Sequence, residues 1–194
     1  MSTVDVHTRL RIRSIAFWCA TFVVVFELIA GAAWNLWTIE WIEVQLSHLG
    51  YPDYFAYVLG VCHVGAAVTI AVPGFPLLKE WAYAGVAFMW SGAVVSHLAR
   101  GDGPESWGAP LMFLAFAVVS WALRPAERRL PDTRLRQGRS DRDETQRRAV
   151  RPRAWAVSIG LVVVLSAFSL LTLPAAEELT SEWAVERGWV EEQP

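Results

Sequence analysis

Two ionisable side chains lie well inside long apolar runs of this chain: Glu27, within residues 14–34, and His63, within residues 54–73. A charge at the centre of a bilayer costs at least ~2.5–3.5 kcal/mol on insertion scales, so such residues point to function by default. Counted back from Trp34, Glu27 lies roughly 10 Å along its run, and His63 lies roughly 13 Å beyond Tyr54, at a helical rise of about 1.5 Å per residue. Helical phase agrees with depth. Ala16, Ala20, Val24, Glu27, Gly31 and Trp34 share one face, while Ala56, Gly60, His63, Ala67 and Ile70 share another. Small residues at this spacing allow helices to approach closely. Packed through these faces, the two runs would aim Glu27 and His63 at each other or into a common cavity lined by Gly31 and Gly60. Such a pair can act as acid and base, or can hydrogen-bond a quinone or another lipophilic carbonyl. Equally, it can serve as a buried polar clasp that fixes helix packing.

Other candidates are weaker. His97 ends a third apolar run just before Arg100, Gly101 and Asp102, where it would rim the same cavity or simply sit at the interface. His48 and His7 fall on polar flanks and are expected to be solvated. Cys19 and Cys62 form no CxxC pattern and read as small apolar fillers, so no metal site is expected. The chain has no haem, iron–sulfur or flavin motif. No covalently bound cofactor is therefore expected, and redox chemistry would need a diffusible quinone or a partner protein.

The elements that must carry these residues are membrane helices. Hydrophobic residues make up 54% of the 194, and eleven are tryptophan. A spanning helix needs about 20 predominantly apolar residues, and five runs qualify: 14–34, 54–73, 81–99, 107–123 and 154–173. Eleven arginines crowd residues 124–153, three more precede the first run, and Lys79 lies between the second and third. The alternate side has only Arg100 and Arg187, with six glutamates from Glu177 to Glu192. The positive-inside rule then predicts a cytoplasmic N-terminus and an external C-terminus. The arginine-rich loop has too few apolar residues to fold alone. It reads as a topological anchor or as an attachment to anionic lipid, and without aromatic interleaving it gives no nucleic-acid site. Residues 37–49 have the spacing of a short interfacial helix, either a lid over an outward cavity or a tryptophan-belted connector. Ser158, Ser166 and Ser169 on the fifth run are placed to bond a neighbouring helix.

An ordered set of residues resembles a known family. Glu27 and Gly31 are followed by Leu49-Gly50-Tyr51-Pro52, Leu59-Gly60, then Lys79-Glu80-Trp81-Ala82-Tyr83-Ala84-Gly85, and finally Ser96-His97 with Gly101-Asp102. Over residues 14–124 this is similar to the DoxX-like family of small integral membrane proteins. The resemblance implies a compact four-helix membrane bundle. The family's namesake is a membrane subunit associated with a thiosulfate:quinone oxidoreductase, which adds a quinone and a redox partner to the expectations here.

The fold class expected is thus all-α, a polytopic membrane helical bundle with a four-helix core and a fifth C-terminal transmembrane helix. Its divisions are a basic tail (1–13), the four-helix domain (14–124), the arginine-rich loop (125–153), the fifth helix (154–174) and an acidic tail (175–194). The fifth helix is an auxiliary span or a homo-oligomer contact. Sixteen arginines against one lysine suggest a high-GC bacterium and its plasma membrane. Three functions remain open: a lipophile- or quinone-binding subunit supporting a partner's redox chemistry, a non-catalytic scaffold or assembly factor, and an intramembrane Glu/His isomerase.

Overall fold

The computed structural model describes residues 3–125, 128–129 and 152–189. Most of the arginine-rich loop, and the disorder and lipid attachment expected of it, lie outside the described residues. Among the described residues six helices follow in order: α1 (Thr3–Trp37), α2 (Glu40–Leu49), α3 (Tyr54–Ala71), α4 (Pro76–Arg100), α5 (Pro104–Leu123) and α6 (Pro152–Glu186). All but α2 are long and apolar enough to cross a membrane. The chain is an all-α, multi-pass membrane bundle.

Helices α1 and α6 have 35 residues each, about 52 Å at the helical rise, well beyond a hydrocarbon core of roughly 30 Å. The parts expected as a basic tail before residue 14 and an acidic tail after 174 are therefore largely helical. Neither Pro152 nor Pro174 stops α6, because the first sits at its start and the second leaves the helix running to Glu186.

Helix α1 is the central element, packed on α3, α5 and α6, with α4 closing against α5 and α3. Lipid tails give no hydrophobic drive between helices, so contacts rest on close packing. Accordingly, alanines 20, 32, 33, 56, 67 and 117 are buried, while Trp81, Phe88 and Leu171 point outward. Leu165 of α6 joins the central core with Val24, Leu28, Ile70 and Trp90. The fifth span is therefore integral to the bundle.

The two ends of the bundle are closed by different chemistry. On the N-terminal side, α3 and α4 are joined through Gly74 and Phe75, both at positive φ. This turn brings the Lys79 side chain, only 1% exposed, back onto the carbonyls of Thr69, Ile70 and Val72. Arg128 donates to Ile70 O (3.0 Å) and Ser158 to Ala71 O (3.0 Å). The last carbonyls of a helix have no partners of their own, and cations near them also meet the negative end of the helix dipole. Alongside, Arg124 grips both Glu80 oxygens (2.8 and 3.0 Å) and lies over the Tyr83 ring. Tyr83 Oη, Ser120 Oγ and Thr21 Oγ1 form a buried hydroxyl chain with 2.7 Å links. Lys79, Arg124 and Arg128 are thus structural ties, beyond any role as topological charges.

On the α2 side, three helices end in the same way. Gly50, Gly101 and Gly188 each adopt positive φ. In each case the residue after the glycine donates its backbone N–H to the carbonyl five residues earlier: Tyr51 to Leu46, Asp102 to His97 and Trp189 to Ala184. This is the Schellman arrangement, which favours glycine because the left-handed conformation penalises a Cβ.

Candidate functional site

The α1/α3 seam sets His63 on Gly31, and Glu27 and His63 do not bond to each other. An added Cβ on Gly31 would lie 2.9 Å from His63 Nε2, so the imidazole rests directly on that glycine. Glu27 and Asn35 are one helical turn to either side on α1, roughly 6 Å along the axis. His63 is bonded through Nδ1 to Leu59 O at 2.7 Å. A carbonyl only accepts, so Nδ1 carries the proton and Nε2 of the neutral ring is left as an acceptor. Asn35 Nδ2 donates to Gly31 O at 2.7 Å, which fixes the amide orientation and leaves Oδ1 buried without a donor. Glu27 is half-buried and bonds to no other described residue.

Two acceptors, His63 Nε2 and Asn35 Oδ1, are therefore oriented here by backbone carbonyls, with Glu27 one turn from Gly31 on α1. Gly60 is filled differently: a Cβ there would lie 2.6 Å from Leu36 Cγ. Both glycine notches are occupied by protein side chains, so neither leaves open space for a ligand. Beside the seam, between α1, α3 and α6, is a cleft of about 130 Å³ lined by Ala32, Ala33, Leu36, Val64, Val68 and Ser166 among others. Of the fifth-span serines, Ser158 bonds α3 as described, Ser166 borders this cleft, and Ser169 Oγ is buried without a partner.

His97 belongs to a second constellation at the α2 end. It is 2% exposed, and its Nδ1 donates to Asp102 Oδ2 at 2.6 Å. Nε2 of His48 lies 2.9 Å from Asp102 Oδ1, and Gln45 Nε2 approaches His97 Nε2 at 3.4 Å. Desolvation alone would push the Asp102 carboxyl up. The hydrogen bonds and charges of His97 and His48 outweigh it and hold the group below the usual carboxylate range. His48 is not the solvated residue that its polar flank suggests: its ring stacks on Trp189 at 4.7 Å. Nearby, Tyr51 Oη bonds Ser96 Oγ at 2.7 Å, tying the α2 end to α4. Each Schellman turn delivers a residue to this end, since Tyr51, Asp102 and Trp189 all follow their glycines. Among the described residues, no group of His, Cys, Asp and Glu is arranged to hold a metal ion, and both cysteines are exposed and unpaired on the lipid-facing surface.

Searches for relatives return no matching curated protein and no matching solved structure. The model of the DoxX-like family does match, over residues 19–120. That stretch takes in most of α1, the whole of α2, α3 and α4, and most of α5, including Glu27, His63, His97 and Asp102. With that match over more than half of its length and its all-helical multi-pass fold, the chain belongs to the DoxX-like family of membrane proteins.

Proposed function

We propose that this protein binds a lipophile bearing a hydroxyl or amine at the α1/α3 seam, with Glu27, His63 and Asn35 as its hydrogen-bonding partners. The observation that carries this reading is Asn35 Oδ1, buried without a donor, beside a His63 Nε2 that bonds to no described residue. Buried polar atoms are almost always satisfied, and leaving one unpaired costs about 1–3 kcal/mol. His63 Nε2 and Asn35 Oδ1 cannot satisfy each other, since neither donates. Two ligand donors, the N–H groups of an amine or a pair of hydroxyls, can supply what both lack.

The same donor count bears on a quinone. Its ring oxygens only accept, so they do not fit His63 Nε2 or Asn35 Oδ1; the hydroxyls of the reduced quinol fit both. Support for a partner's redox chemistry would accordingly rest on a quinol at this seam, and an acid–base isomerase would use His63 Nε2 and Glu27 to take and return a proton. The scaffold reading is favoured by a separate observation, the filling of Gly31 by His63 and Gly60 by Leu36, which makes the seam a packing device as well.

Charge distribution supports a cytoplasmic N-terminus and an external α2 side, and sixteen arginines against one lysine support a bacterial plasma membrane. The seam would then open toward the external leaflet.

Native mass spectrometry with lipid extraction on detergent-purified wild type, Glu27→Gln and His63→Phe tests the binding reading. A hydroxyl- or amine-bearing lipophile held by the wild type and depleted in both variants is expected. Three equally folded, empty proteins would leave the scaffold.

A further inference from the structure

We infer that Gln45, His48, His97 and Asp102 form a second ligand site, for an electron-rich planar aromatic molecule, and that the chain's own Trp189 occupies it. The polar set comes entirely from residues 45–102, inside the stretch shared with the family. Trp189 comes from beyond it, at the end of α6.

The indole sits as a bound aromatic would. Its plane is within 19° of the His48 ring and 14° of the His97 ring, with centroids at 4.7 and 6.1 Å. The two imidazoles, each near parallel to the indole, make an aromatic platform held in place by the single Asp102 carboxylate that both bond. Trp41 stacks against the same indole at 5.2 Å. The Arg187 guanidinium is 5.4 Å from its ring centre, and a cation over a ring favours an electron-rich π-face. That selects indole- or phenol-like rings over electron-poor ones. The occupant is attached by one short device: Gly188, at φ 67°, turns the chain off α6 and delivers Trp189. The platform does not depend on it, because the His48–Asp102–His97 bonds involve neither α6 nor its turn.

Indole itself is the probe. Binding is measured by calorimetry on the full chain in nanodiscs, with wild type as the control for partitioning into lipid. Trp189→Ala should bind indole about two- to tenfold more tightly than wild type, as expected when an aromatic stacking site is vacated. Adding His48→Ala to Trp189→Ala should abolish the gain. Gly188→Val, which strains the turn while keeping the indole, should give an intermediate gain and carries the comparison if Trp189→Ala loses helix by circular dichroism. Equal indole binding by wild type and the folded variants, or a gain that survives His48→Ala, would overturn the inference.

Discussion

Removing the Asp102 carboxylate should loosen the α2 end by an amount set mainly by His97. The His97–Asp102 bond is 2.6 Å long between side chains 2% and 10% exposed, so it is taken as a charge-assisted bond worth about 1.5–3 kcal/mol. His48 is 26% exposed, and screening reduces its share to about 0.5–1 kcal/mol. Asp102→Ala should thus cost about 3 kcal/mol, and Asp102→Asn, which keeps an acceptor without the charge, about half that. The assay is reversible unfolding in mixed micelles with increasing sodium dodecyl sulfate. Double-mutant cycles apportion the loss: coupling of Asp102 to His97 should reach about 2 kcal/mol and exceed that to His48. Acid gives a second reading. The folded-state carboxyl titrates below its ordinary value of 3.8, so its contribution is complete above that value and fades as pH falls through the lower folded value. Asp102→Ala should lack this acid component. A His97 coupling under about 0.5 kcal/mol, or one smaller than that of His48, would refute the reasoning.

Other variants probe the seam and the opposite end. Gly31→Ala places a methyl 2.9 Å from His63 Nε2 and should cost about 1–3 kcal/mol by overpacking; the same unfolding assay should show much of that loss relieved by adding His63→Ala. Lys79→Met leaves the carbonyls of Thr69, Ile70 and Val72 without their shared cation and should cost about 2 kcal/mol, with faster amide exchange at the start of α4. Tyr83→Phe breaks the link to Ser120 and should cost about 1 kcal/mol in that assay.

The five spans were legible because length and apolar content decide what crosses a bilayer, and helical phase put Gly31 and His63 on faces that meet. What phase could not show is that the histidine ring would settle on Gly31 and bond to Leu59 instead of Glu27. Asn35 was missed because it lies one residue beyond the expected end of the first run. Its signal was present, eight residues after Glu27 and four after Gly31, on the same helical stripe. His48 was misjudged from its flank, yet His-Leu-Gly-Tyr, Ala-Arg-Gly-Asp and Glu-Arg-Gly-Trp repeat one helix-ending pattern that marks all three contributors to the α2 end. Lys79 is harder: its reach back to α3 depends on two successive positive-φ residues, one of them Phe75, which composition does not announce.

The account rests most heavily on His63 offering Nε2 as a free acceptor. Selective ¹⁵N labelling of histidine, with His63 assigned by comparison with His63→Phe, reads the tautomer directly in lipid. A pyrrole-type signal at Nδ1 and a pyridine-type signal at Nε2, the latter moving when a long-chain alcohol is added, is the predicted result; a proton found on Nε2 would contradict it.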